Sequence, residues 1–174
     1  IGWLMGYFLN SLIIQLPLMM MVDPGSVSLD SGLIHQVLPR WQRLLVNISA
    51  SLVAIIVPVI GGLTWVSGVL VIGCWWLLTL SIIDWRTYLL PDLLTLSLLW
   101  FGLLLNSLDL FVPLREAVYG AVAGYIVFWL VSTAYRCFFK KEGLGLGDAK
   151  LTAALGAWVG VMMVPWLIAL ASCL

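Results

Sequence analysis

Two aspartates, Asp84 and Asp148, have the residue type and the setting that chemistry requires. Asp84 sits near the end of one apolar run, in "LTLSIIDWRTYLLPDLLTLSLLW", and Asp148 opens another, in "KEGLGLGDAKLTAALGAW". Carboxylates at membrane depth are expensive and as a rule functional. Asp148 heads its apolar segment, where a helix dipole favours negative charge, but Asp84 closes one, where the dipole opposes it. Two carboxylates held close together do not both ionise, so one serves as base and the other as acid. Such a pair lets water attack a peptide carbonyl without a metal or a covalent intermediate. Gly143, Gly145 and Gly147 fit that chemistry as small residues beside which an extended substrate backbone comes close. Two other readings stay open on the residues alone: an ion or proton pathway through Asp84 and Asp148, as in a coupled transporter, and a purely structural role.

Other polar residues have plainer readings. Asp92 follows Pro91 and precedes an apolar run, the place of a helix-capping carboxylate. Trp85, Arg86 and Tyr88 read as anchors at the membrane surface. Lys150 and the Lys140-Lys141 pair read as anchors on the inner side, or as attractors of acidic groups and lipid headgroups. Asn10, inside the first apolar run, reads as a hydrogen-bonding contact between helices, with contact to a substrate or methyl donor as the rival.

The elements that carry these residues follow from composition. The chain has 174 residues, 63% hydrophobic and 9% charged, with mean hydropathy +1.14. That much apolar surface needs a bilayer, so membrane lipids are implied as neighbours. The formal net charge is zero, which gives no ground for nucleic-acid binding. Cys74, Cys137 and Cys173 lie far apart, and with His35 as the lone histidine they make no zinc or disulfide framework. No basic region precedes Arg40, so the N-terminal run is not a secretory signal.

A membrane helix needs roughly 20 apolar residues, and runs fall near 1–21, 45–60, 63–83, 93–108, 114–135 and 149–165, with a seventh starting about 166. Gly61-Gly62 reads as a tight turn. The expected fold is all-α: a polytopic bundle of about six to seven transmembrane helices in one domain over 1–174, with one loop at 23–44. Ile34, Val37, Leu38 and Trp41 would order that loop along the membrane surface. The final apolar run stops at Leu174 after too few residues to span, so a longer natural chain is expected. With the N-terminus outside, Arg40, Arg43, Arg86, Arg136, Lys140, Lys141 and Lys150 lie inside and Arg115 outside, as the positive-inside rule requires. Two spans separate Asp84 from Asp148, so both fall on the inner side.

These blocks resemble the prepilin peptidases, membrane aspartic proteases of type IV pili and type II secretion. "GLGD" at 145–148 fits that family's G-x-G-D motif, and "DWRTYLLPD" at 84–92 fits its first aspartate block. "GYFLNSLIIQLP", "AVYGAVAGYIVFWLV" and "KLTAALGAWVG" resemble its N-terminal block and the helices around the second aspartate. The resemblance implies Asp84 and Asp148 as the catalytic pair. Gly145, Gly147, Pro91, Asp92, Lys150 and Asn10 are then substrate-binding or supporting residues. It also implies prepilin or pseudopilin substrates, cut on the cytoplasmic side of a bacterial inner membrane. Many members carry paired C-x-x-C motifs in the first cytoplasmic loop, linked with zinc and with N-methylation of the product. This loop has no cysteine, so the chain resembles the cysteine-free subgroup and no zinc is expected. Proteolysis needs no cofactor, and S-adenosylmethionine enters only if methyl transfer is retained.

The charge argument predicts that single cysteines placed in 23–44 and in 137–147 react with an impermeant thiol reagent from one side only, the same for both. Labelling from opposite sides would overturn the even-crossing topology.

Overall fold

In the computed structural model, which describes residues 2–21, 40–88, 90–139 and 146–173, the chain is built from α-helices. They are α1 (Gly2–Met21), α2 (Arg40–Gly61), α3 (Trp65–Thr87), α4 (Asp92–Asn106), α5 (Leu114–Phe139), α6 (Leu146–Val159) and α7 (Val164–Cys173), with a 3-10 turn at Val161–Met163. No strand occurs among the described residues. Within α2, α3 and α5, the stretches Trp41–Gly61, Trp65–Trp85 and Leu114–Cys137 are long and apolar enough to cross a membrane. Large apolar side chains such as Leu4, Val59, Ile60 and Leu63 point outward, as lipid-facing residues do. This is an all-α membrane protein.

The helices follow the apolar runs, with shifts that have local causes. Helix α2 starts at Arg40, so residues 40–44, expected in the loop, are helical; no glycine or proline interrupts 40–57. The run expected over 149–165 is broken. Gly160 has φ 81° and its N–H bonds back to the Gly156 carbonyl at 2.9 Å. That conformation ends a right-handed helix and suits glycine. A new helix then starts at Val164 with Pro165 in its first turn, where a missing N–H is harmless. The Gly61-Gly62 turn is found as expected: α2 ends at Gly61 and Gly62 has φ 77°. Thr64 caps α3, its side chain accepting the Ser67 N–H at 3.3 Å.

The chain divides into two compact units, residues 1–91 and 92–174. In the first, α1 lies against α2. A side chain at Gly2 or Gly6 would collide with Ser51 or Asn47, and Leu9, Ile13, Val46 and Ala50 are buried. The spacing of Gly2 and Gly6 is the small-x-x-x-small pattern that lets membrane helices approach closely. Trp75 ties α3 to α2, its indole N–H donating to the Ala50 carbonyl at 2.9 Å.

In the second unit α6 is the central strut. Against α5 it meets backbone to backbone: a Cβ at Gly120 would strike the Gly156 carbonyl, a Cβ at Gly156 the Gly120 carbonyl, and one at Gly124 the Thr152 carbonyl. Ala117, Ala153, Ala154 and Ala157 fill the rest of the buried surface. Against α4, the Trp158 ring occupies the space a side chain at Gly102 would need, and its indole N–H donates to the Leu98 carbonyl at 3.0 Å. Asn106 is fully buried. Its amide NH2 donates to the Ala157 and Trp158 carbonyls at 2.8 and 3.3 Å, and its oxygen accepts the N–H groups of Phe111 and Val112 at 3.1 and 3.2 Å. At the other end Lys150 meets Asp92. Start meets start and end meets end, so α4 and α6 run in the same direction.

Gly156→Ala forces α5 and α6 apart and should destabilise by about 1–3 kcal/mol, the usual range for overpacking. Gly68→Ala, where a Cβ meets nothing within 4 Å, should be neutral or stabilising by roughly 0.5 kcal/mol. Unfolding midpoints in detergent check both, and equal losses would contradict the tight seam.

Candidate active site

Asp148 lies in the first turn of α6, where the unpaired N–H groups and the positive end of the dipole favour a carboxylate. Its side chain is exposed, between half-buried Gly147 and buried Ala149. One turn on, the Thr152 hydroxyl donates to the Asp148 carbonyl at 2.8 Å. Asp148 and Thr152 are the polar side chains on a cleft of about 450 Å³ between α5, α6 and α7, whose other walls include Phe128, Leu151, Leu155, Leu167 and Ala171. The carboxylate thus stands, with the Thr152 hydroxyl, on a mostly apolar cavity.

Asp84 belongs to the other unit, in the last turn of α3. It is half-buried between buried Ile83 and outward-facing Trp85, and its carbonyl accepts the Tyr88 N–H at 2.8 Å. Tyr88 closes the helix at φ 51°, a left-handed conformation that costs a non-glycine residue roughly 1–2 kcal/mol. Trp85 and Tyr88 are 82% and 87% exposed, as surface anchors should be. A groove of about 600 Å³ between α2 and α3 is lined by Trp41, Leu45, Ser49, Leu78 and Ser81 and reaches Trp85, next to Asp84.

Asp92 and Lys150, which the sequence offered as a cap and an anchor, are brought together. The Lys150 ammonium donates to the Asp92 carboxylate at 2.6 Å, with the side chains 28% and 58% exposed. Asp92 is in the first turn of α4, and Pro91 before it is fully buried. Pairs this open to water add only about 0–1 kcal/mol to stability. Gly147 is helical, inside the first turn of α6. Gly143, Gly145, Lys140, Lys141, Ile34, His35, Val37, Leu38 and the side chain of Arg86 lie outside the described residues.

Asn10 and Asn47 are both buried, and the Asn10 amide donates to the Asn47 oxygen at 3.0 Å. The Asn10 oxygen has no hydrogen-bond partner among the described residues. Sequence reasoning missed Asn47, Asn106 and Thr152. The signal was present for the two asparagines, since an amide inside an apolar run is costly unless paired.

With both aspartate blocks located, comparison with known proteins assigns the chain. Residues 71–174, which contain both blocks, match the type IV leader peptidase family. The chain belongs to that family. It is 39% identical over 178 residues to a prepilin leader peptidase/N-methyltransferase of Escherichia coli (strain K12), covering 99% of this chain and 76% of the relative. A protein of the same name from Stutzerimonas stutzeri is 33% identical over 217 residues, covering 99% and 75%. One from Dickeya chrysanthemi is 50% identical over 117 residues, covering 65% of this chain and 41% of that relative. The matched stretch is thus well under half of the Dickeya protein and about three quarters of the other two. No solved structure matches the chain significantly.

The Asn10–Asn47 contact is the hydrogen bond between helices that the sequence reading of Asn10 expects. Asn10→Leu strands the buried Asn47 amide and should destabilise by about 1–3 kcal/mol. Asn10→Leu with Asn47→Leu should recover part of that loss, because both polar groups are then gone. Detergent unfolding midpoints of the two variants decide, and no loss in the single variant would remove the pairing account.

Proposed function

We propose that this chain is a membrane-embedded aspartic endopeptidase that removes the leader peptide of type IV prepilins or type II secretion pseudopilins. Asp84 and Asp148 are its acid/base pair. The observation that carries the reading is the position of Asp148, in a G-x-G-D sequence at a helix start and on an apolar cleft, within the stretch that matches a peptidase family. The relatives are named prepilin leader peptidase/N-methyltransferase.

The chemistry needs little beyond the two carboxylates. The ionised one takes a proton from water as that water attacks the scissile carbonyl carbon. The protonated one gives its proton to the carbonyl oxygen, producing a neutral tetrahedral diol. The first carboxyl then gives its proton to the amide nitrogen while the second carboxylate takes one from a diol hydroxyl, so the C–N bond breaks to an acid and an amine and the pair returns to one protonated and one ionised group. A mostly apolar cleft around Asp148 suits a substrate whose segment beyond the cut is hydrophobic.

The charge distribution supports a multi-pass protein of the bacterial inner membrane, N-terminus outside, with both aspartates on the cytoplasmic side. The zinc associated with paired cysteines in this family does not fit the residues present. Cys74 is on α3 and Cys137 on α5, in different units, and 22–39 holds one histidine and no cysteine. No step of the reaction is assigned to it. S-adenosylmethionine enters only as the donor for methylation of the new N-terminal amine, and hydrolysis does not draw on it.

Asp84→Asn and Asp148→Asn should each abolish cleavage of a purified prepilin in detergent while the protein still inserts, and cleavage by the wild type should persist in a chelator. Asp92→Asn should be milder than either. Cleavage by the Asp148→Asn variant at wild-type rate would end the aspartic-protease reading.

A further inference from the structure

We propose that the Asp92–Lys150 ion pair is a positioning device, setting the rotation of the first turn of α6 and with it the direction of the Asp148 carboxylate. Its catalytic consequence rests on the peptidase reading above; its geometry does not.

Successive residues on an α-helix are about 100° apart, so Lys150 leaves α6 on the side nearly opposite Asp148. Ala149 between them is 2% exposed. One side of this turn therefore bears the carboxylate over the cleft, and the other bears the ammonium against Asp92 of α4, 2.6 Å away. Further grips on α6 come later in the helix. Thr152 and Gly156 lie in the seam with α5, and Ala157 and Trp158 are held by Asn106 and Leu98. The ion pair holds α6 two residues before Thr152, nearly two turns before Gly156, and beside Asp148.

The lysine's direction argues for this role over a plain membrane anchor. An anchoring lysine extends its stem toward headgroups and leaves its ammonium in water. Lys150 instead reaches the first turn of α4, to a carboxylate whose preceding residue, Pro91, is buried and has a fixed φ. Asp92 is therefore mounted on a stiff base. The pair's exposure to water keeps its share of global stability small, so breaking it should turn Asp148 without unfolding the helix.

The test uses the full chain in detergent with a purified prepilin that carries its leader. Asp92→Asn and Lys150→Met should each lower kcat on the order of 10- to 100-fold, as displacement of a reacting group does, with KM nearly unchanged. The double variant should lose no more than the worse single variant, since paired residues are not additive. Independently of cleavage, the thiol of Asp148→Cys, with the native cysteines replaced, should change its rate of reaction with a maleimide when Lys150→Met is added.

Unchanged kcat in both single variants would overturn the proposal. A rise in KM alone would overturn it by making Lys150 a substrate contact, and multiplied losses in the double variant would show two separate roles. Should the wild type cleave nothing, the peptidase reading fails, and the maleimide rate alone decides positioning: a changed rate supports it and an unchanged one sinks it.

Discussion

The backbone-to-backbone meeting of α5 and α6 at Gly120 and Gly156 fixes the second unit. Inside a bilayer, lipid tails are as apolar as any side chain, so helices associate through close packing and hydrogen bonds instead of escape from water. Glycine allows the closest approach because it has no Cβ, and at that distance dispersion contacts run along the whole seam. Ala117, Ala153, Ala154 and Ala157 continue it. Larger residues are displaced from the seam, which leaves Leu151, Leu155 and Phe128 as walls of the cleft on which Asp148 stands. The packing that immobilises α6 is thus also what shapes the apolar cleft beside it.

Polar groups then finish what packing begins. At hydrocarbon depth an unmade hydrogen bond costs several kcal/mol, so each buried amide must find partners. Asn106 joins the end of α4, the following turn and the end of α6, and Trp158 adds a bond to Leu98. At 15 and 14 residues, α4 and α6 are about 21–23 Å long, short of a hydrocarbon core of roughly 30 Å. Helices shorter than the core reach its surfaces only where the bilayer thins or flanking polar side chains snorkel outward. A site built on packed helices also holds its groups more closely than one built on loops.

Asp84 is held differently. It occupies the dipole-disfavoured end of α3, followed by Tyr88 in a left-handed conformation. Both features work against stability.

The sequence by itself determined the all-α membrane class, the helix-forming runs, the turn at Gly61-Gly62 and the two aspartate blocks that place the chain in its family. Each of these depends on local properties: apolar run length, the conformational freedom of glycine, and residue types at fixed spacing. It misjudged where α2 begins and where α6 ends. At the first, residues polar enough to read as loop continue a helix; at the second, an apolar run conceals a glycine turn at Gly160. Only the tertiary structure decided what Asp92, Lys150, Asn47 and Asn106 do. Asp92 looked like a cap and Lys150 like an anchor because each was judged against its own helix, while their contact joins residues far apart in the chain. A side chain's partner depends on which helix faces meet, and in this protein that choice rests on glycines whose role appears only when two backbones are brought together.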